Sequence, residues 1–316
     1  MENPPSLASF SPCSFTDQAI STGSLHLDLA LCTGGIQRGA MVEISGSECS
    51  GKTTLCQHIV AQAQTTGSLC AWIDADNSFD PNYASQCGVV LERLFYTEPA
   101  YTEQALDILE ILAGSGVFTI LVIDSLHSLV PLRELSGAFN GTPSEENSFL
   151  LFYSLRRLAG MLQRTGTSII FTDLSGGQSG AIYHKLAGHS YRLALKLHAA
   201  QRLRLVATRE LKSNHEIIGM RVQAKVLKNP IAPCLHISYF DIINGQGINK
   251  SGEVLDLGIR LKLIQKPERG YTFGSNLLGF SAQEAVRFLN QNIGIRDYIE
   301  KAICQALKPD FNIAAT

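Results

Sequence analysis

Residues 44–54 read Ile-Ser-Gly-Ser-Glu-Cys-Ser-Gly-Lys-Thr-Thr, a turn with little use except to hold phosphate. Gly46 and Gly51 let the backbone curl so that Ser47, Glu48, Cys49 and Ser50 turn successive N–H groups inward, while Lys52 reaches the β- and γ-phosphates of a nucleotide. Thr53 offers its hydroxyl to Mg²⁺, and Thr54 completes the motif. The flanks suit this reading. Met41-Val42-Glu43-Ile44 has the character of a buried strand, and Leu55, Ile59 and Ala63 recur at helical spacing before Gly67. Strand, phosphate loop and helix follow one another, which makes a mere surface turn the weaker reading.

Composition narrows the class. With 45% apolar and 17% charged residues, the 316-residue chain is ordinary for a globular protein that buries one large core and a smaller second unit. Its net charge of −2 provides no global basic field, so any nucleic-acid contact must come from local patches. The eight cysteines form no C-x-x-C pair, several sit in apolar runs, and no signal peptide precedes them. They read as reduced thiols of a cytoplasmic protein, and no apolar run is long enough to span a membrane. Cys49 differs because it lies inside the phosphate loop. There, oxidation would disturb nucleotide binding, against the blander reading of a tolerated small residue.

Along the chain, residues 1–19 form an irregular leader rich in proline and serine. Ile20 to Ala40 carries Leu25 and Leu29 at helical spacing before a double glycine. Leu69 to Asp74 and Thr119 to Asp124 are two further buried strands, joined by a helix over Tyr101 to Ala113, as in a parallel α/β sheet. Thr142-Pro143-Ser144-Glu145 is a capping box that opens a helix running to about Arg164, and Ser168 to Thr172 is the next strand. The glycine-rich, polar stretch from Asp173 to Leu193 is a candidate binding loop. Arg202 to Val206, Met220 to Leu227 and Leu235 to Ile242 alternate in period two, so the later sheet turns antiparallel. From about Ser251 the pattern shifts to short helices over Val254 to Ile264, Ala282 to Asn290 and Ile295 to Leu307. The expected architecture is a P-loop NTPase core over 20–250, with a mixed, mostly parallel central sheet, and a small C-terminal α/β domain over 251–316.

Asp124, closing an apolar strand, is placed to hold Mg²⁺. Ser125 follows it, so a base that aligns the attacking water must come from another strand end; Asp76 is best placed, with Asp74 and Asp80 competing and a turn-forming role open to each. The only Asn-Lys pair continues as Asn249-Lys250-Ser251-Gly252, which lacks the aspartate of a guanine-binding motif, and disfavours a GTPase. A small-molecule kinase would need an arginine-rich lid, whereas Asp173 to Leu193 holds only Lys185 and Arg192.

With these residues in hand, the chain closely resembles the bacterial RecA recombinases from Ile20 to about Leu307. The resemblance rests on ISTGSLHLDLAL at 20–31, GSECSGKTT at 46–54, IDADNSFDPNYA at 73–84, LVIDSLHSLVP at 121–131, KVLKNPIAP at 225–233, GQGIN at 245–249 and GEVLDLGIRLKLIQK at 252–266. It implies a DNA-dependent ATPase that uses ATP and Mg²⁺, coats single-stranded DNA as a homo-oligomeric filament, and exchanges strands in recombination and repair. It also implies that Gly46 to Thr54 bind the triphosphate, that Asp80 and Tyr83 contact adenine, and that Thr53 and Asp124 hold the metal. Lys228 would meet a neighbouring γ-phosphate.

This chain departs from the family at several of those points. The family's catalytic glutamate is Asp76 here, one methylene and roughly 1.5 Å shorter, a displacement of the order that costs about a hundredfold in rate. A second interfacial lysine is Pro230, the phosphate-sensing pair is Asp173 and Leu174, and a second adenine-side tyrosine is Asn244. Of the first DNA loop's contacts, Arg156 remains, while Ser144 and Phe149 replace others. Tyr183 is suited to stack on bases, and Lys185, Arg192, Lys196 and Arg202 to meet phosphates, with ordinary surface charge as the competing reading. Residues 1–19 are short for the family's docking helix. Two functions follow: a RecA-like single-stranded-DNA-binding ATPase with weakened hydrolysis, or a non-hydrolysing, non-polymerising adaptor that co-assembles with another recombinase or polymerase.

Overall fold

The computed structural model describes residues 19–136, 143–174, 189–213, 216–230, 237–266 and 270–307. Its centre is a nine-stranded sheet. In chain order the strands are β1 (Met41–Gly46), β2 (Leu69–Asp74), β3 (Leu94–Thr97), β4 (Phe118–Asp124), β5 (Ser168–Leu174), β6 (Gln201–Ser213), β7 (Glu216–Lys228), β8 (Ile237–Ile243) and β9 (Gly247–Ile248). Their spatial order is β9-β8-β7-β6-β1-β5-β4-β2-β3. From β6 to β3 all pairings are parallel, and β6 to β9 are antiparallel. This is the mixed, mostly parallel sheet expected from the sequence.

Helices cover both faces, which is why β1 is buried along its whole length and reads as an apolar run. On one face, α2 (Lys52–Thr65) sets Leu55, Ile59 and Ala63 against Val42, Ile44, Trp72 and Val122. On the other, α4 (Thr102–Ser115) and α6 (Pro143–Thr165) set Leu109, Leu155 and Leu158 against Met41, Ile123, Ile169 and Phe171. Between these, α3 (Pro81–Gln86) and α5 (Leu132–Leu135) are short surface turns.

The expected helix within Ile20–Ala40 is confined to α1 (Leu25–Ala30), because the chain turns back through Gly34 and Gly35 so that Ile36 pairs with Ile20. The long loop read after Asp173 is likewise shorter. Leu174 still belongs to β5, and α7 (His189–His198) occupies its far end, while 175–188 lie outside the described residues. The leader's first 18 residues also lie outside them.

A third core joins the two ends of the chain. Leu25, Leu29 and Cys32 pack with Val254 and Leu257 of α8 (Lys250–Arg260), with Leu289 of α9 (Ala282–Gln291) and with Ile299 and Ile303 of α10 (Ile293–Leu307). Glu253 fastens this junction, accepting from Ser24 Oγ at 2.7 Å and Leu25 N at 2.6 Å. His26 stands 3.3 Å from Asp256 and 3.8 Å from Glu253. Burial works to lower the His26 pKa, but Asp256 and Glu253 together outweigh it and hold the value up to about 9.

A folded-state pKa above the ordinary 6.5 means the contribution is complete below that value and disappears as pH rises through about 9. His26→Gln is therefore expected to lower the thermal midpoint by several degrees near pH 6 and much less near about pH 9.5. Melting curves across that range check it; equal losses at both ends would contradict it.

Of the six described cysteines, Cys32, Cys56, Cys70 and Cys87 are buried, Cys304 is half-buried and Cys49 is exposed, all as free thiols. No described helix is long and apolar enough to cross a membrane.

Candidate functional site: a phosphate loop and its carboxylates

The phosphate loop leaves β1 at Gly46 and enters α2 at Lys52. Gly51, the N-terminal cap of α2, has φ +90°, and a Cβ there would sit 2.5 Å from Ile242 Cδ1. At Gly46 a Cβ would overlap Ser50 Oγ and the Leu205 carbonyl. The packed strands below the loop thus require glycine at both positions. Ser47, Glu48 and Cys49 form an exposed lip, while the Ser50 hydroxyl is buried without a hydrogen-bond partner. A backbone cradle at the start of a 14-residue helix suits an anion, since the first-turn N–H groups carry partial positive charge. Gly51→Ala is expected to cost about 1–3 kcal/mol of stability, from backbone strain and the clash with Ile242. Chemical denaturation checks this; an unchanged midpoint would contradict the packing described.

Lys52 folds over the loop, its Nζ donating to the carbonyls of Ser47 at 2.8 Å and Gly46 at 3.4 Å. Burial lowers its pKa, opposed by the nearby carboxylates of Asp124, Asp173 and Asp76. Thr53 Oγ1 donates to Asp124 Oδ2 at 2.7 Å, and Thr172 donates to Oδ1 of the same carboxylate. Burial raises the Asp124 pKa, with the hydrogen bonds from Thr172 and Thr53 opposing and Asp76 adding to the rise. A hydroxyl and a carboxylate held together beside a phosphate cradle fit Mg²⁺, which takes few protein oxygens and completes its shell with phosphate and water. Among the described residues no group of three or more His, Cys, Asp or Glu forms an alternative metal site.

The three competing aspartates have different surroundings. Asp74 is buried and accepts from Phe79 N at 2.9 Å, Ser78 N at 3.3 Å and Tyr96 OH at 3.0 Å, so it anchors the turn after β2. Asp80 caps α3, accepting from Asn82 N at 2.8 Å and Tyr83 N at 3.3 Å. Asp76 is exposed at the strand ends and is held by Ser125, whose Oγ donates at 3.0 Å and whose N–H lies 3.3 Å away. Ser125 Oγ is also bonded to His127 Nδ1. Neither Thr172 nor the Ser125–His127 pair was singled out from sequence, although Ser125 follows Asp124 directly. Tyr83 OH meets Thr54 Oγ1 at 3.0 Å, placing its ring beside the first turn of α2.

Residues 12–249 match the family described as the RecA N-terminal domain, three quarters of the chain. The chain belongs to the RecA family. It is 38% identical over 300 residues to Protein RecA of Roseiflexus castenholzii, covering 95% of this chain and 85% of that one. It is 40% identical over 291 residues to Protein RecA of Chloroflexus aurantiacus, covering 92% and 83%. With Protein RecA of Rhodospirillum rubrum it shares 40% identity over 286 residues, covering 90% and 78%.

Within this RecA-family fold, the cations suggested for DNA contact have unequal surroundings. Arg156 and Lys196 are exposed on α6 and α7, which pack side by side. Arg202 instead forms a two-pronged ion pair with Glu43, its register partner on β1, so its charge is neutralised within the sheet. Arg192 is bound to the end of β5, with Nε 3.1 Å from Asp173 and Nη2 donating to the Leu174 carbonyl at 2.6 Å. Lys228 Nζ donates to the carbonyls of Lys196 and Leu197 at 3.2 Å each, at the C-terminal end of α7. Tyr183 and Lys185 lie outside the described residues.

Proposed function

We propose that this chain is an ATP- and Mg²⁺-dependent single-stranded-DNA-binding protein of homologous recombination and repair, with slow, DNA-dependent ATP hydrolysis. The observation that carries the nucleotide half is the convergence of the glycine cradle, Lys52 and the Thr53–Asp124 pair at one end of the sheet. Lys52 and the loop N–H groups would hold the β- and γ-phosphates, and Thr53 and Asp124 the metal, which when bound supplies charge neutralisation at the transferring phosphoryl group. Asp76, steadied by Ser125, would orient the attacking water and accept its proton. Tyr83, with Asp80 at the head of the same helix, would flank the adenine.

The DNA half is supported by an uncompensated basic face. Arg204 of β6 stands directly opposite Lys225 of β7, and neither has an ion-pair or hydrogen-bond partner among the described residues. Like charges facing each other across strands are unfavourable unless an anion shares them, and a polyphosphate backbone provides one. Arg156 and Lys196 add exposed cations on neighbouring helices. The adaptor reading has one observation in its favour: the Lys228 amine is occupied at the end of its own α7, and Pro230 offers no replacement.

Electron microscopy with single-stranded DNA and ATP tests the choice. Filaments formed by this protein alone, lengthening with concentration, are expected for the recombinase reading. DNA left bare at every concentration would contradict it and favour the adaptor.

A further inference from the structure

β2 and β4 lie side by side with Asp74 in register with Asp124, so the segments that follow them bring Asp76 and Ser125 together. Ser125 Oγ stands 3.0 Å from Oδ1 and 3.1 Å from Oδ2 of Asp76, and the Ser125 N–H lies 3.3 Å from Oδ1. Among the described residues no other side chain hydrogen-bonds that carboxylate. The same serine oxygen is bonded to Nδ1 of His127, in the 3₁₀ turn Leu126–Ser128 that follows β4. Ser128 Oγ stands 3.4 Å from both His127 Nε2 and Ser125 Oγ. Asp76 and His127 are exposed, whereas Ser125, which links them, is buried.

Counting hydrogens fixes the direction of this chain of bonds. A hydroxyl has one hydrogen to give, and a carboxylate that activates water is ionised and only accepts. If Ser125 gave its hydrogen to His127, its oxygen would face both oxygens of Asp76 with no proton between them. The hydrogen therefore goes to Asp76, and Nδ1 of His127 must carry the one that Ser125 accepts. Nε2 of the neutral ring is then the acceptor, with Ser128 placed to donate to it. With serine in the middle, the order differs from a nucleophilic triad, in which histidine takes the serine's hydrogen.

We propose that His127 is a positioning residue for ATP hydrolysis: by donating to Ser125 it commits the serine hydroxyl to Asp76 and holds that carboxylate in the rotamer that aligns the attacking water. This rests on the role proposed above for Asp76. An exposed aspartate otherwise turns among several rotamers, and a misplaced base loses rate steeply. Ser125 does not fix it unaided, because its hydroxyl is free to turn toward either neighbour until His127 takes up its acceptor side.

The test joins steady-state hydrolysis, with single-stranded DNA, Mg²⁺ and saturating ATP, to imidazole nitrogen NMR of the full chain without nucleotide. His127→Ala is expected to lower kcat about fivefold, the worth of one hydrogen bond, with KM changed less than about twofold. His127→Asn should recover most of the loss, because its amide N–H can take the place of Nδ1–H. His127→Gln should recover little, because its amide sits one methylene further out. In Ser125→Ala, adding His127→Ala should cost nothing more, since the histidine acts through the serine. In mildly alkaline solution the His127 ring, identified by its absence from His127→Asn, should carry its hydrogen on Nδ1.

An unchanged kcat in His127→Ala would overturn the proposal, as would a loss that asparagine does not recover, a further loss in the Ser125→Ala background, or a hydrogen on Nε2. Those results leave the role of Asp76 standing. Wild-type protein with no turnover, or Asp76→Ala that turns over as fast as wild type, sinks the reading of Asp76 and this inference with it.

Discussion

Lys52→Ala is expected to weaken ATP binding by at least about a hundredfold and to leave no measurable turnover, because the cation proposed to make charge-assisted bonds to two phosphates is lost. The structure adds a second consequence. Lys52 is the cation whose proton is favoured by Asp124, Asp173 and Asp76, and its Nζ also ties together the carbonyls of Gly46 and Ser47. Without it, Asp124 loses a neighbouring positive charge that opposes the rise in its pKa. The pH above which Asp124 is ionised should therefore move upward in the variant. Fluorescence titration with a labelled nucleotide measures the binding loss, and an affinity equal to wild type would show that the loop does not hold phosphate.

The second large effect is a gain. Asp76→Glu extends the carboxylate by one methylene toward the phosphate loop, and turnover is expected to rise by up to about a hundredfold, the penalty that a misplaced base of this size carries. Ser125 bonds both oxygens of Asp76, at 3.0 and 3.1 Å, so its hydroxyl can follow the longer side chain with one of those bonds intact. The gain should appear as a change in kcat with little change in KM, since the role proposed for Asp76 is to orient water without touching the nucleotide. A fall in kcat, measured under saturating ATP, would show that the reach set by Ser125 and the shorter aspartate is already the working one.

The parts of this molecule that were legible in sequence are those whose signal is local. β1, the phosphate loop and α2 form one continuous stretch in which apolar run, glycine spacing and helical period all agree, and Asp124 closes a strand that could be read by itself. β3 and α3 escaped notice because each is short: four residues with a half-exposed pattern in one case, six with a single buried alanine in the other. The helix expected within Ile20–Ala40, ahead of the double glycine, is confined to Leu25–Ala30 because pairing of Ile20 with Ile36 is a return contact that helical periodicity does not register.

Residue roles set by contacts between distant segments were also hidden. In sequence Arg202 reads as a contact for DNA phosphate or as ordinary surface charge; its pairing with Glu43 depends on strand register. Sequence ranks Asp76 first as the base but leaves Asp74 and Asp80 in competition, and only their partners separate them: a turn and Tyr96 for Asp74, Ser125 for Asp76, and the head of α3 for Asp80. Arg192 joins Asp173 across 19 positions of sequence, a pairing that neither spacing nor composition announces.

The central claim, a nucleotide site that works together with single-stranded DNA, is tested most directly by steady-state ATP hydrolysis with and without single-stranded DNA, at low salt and several protein concentrations. Turnover that is slow alone and rises cooperatively when DNA is added is expected. Tight ATP binding with negligible turnover, unmoved by DNA at any protein concentration, would contradict it.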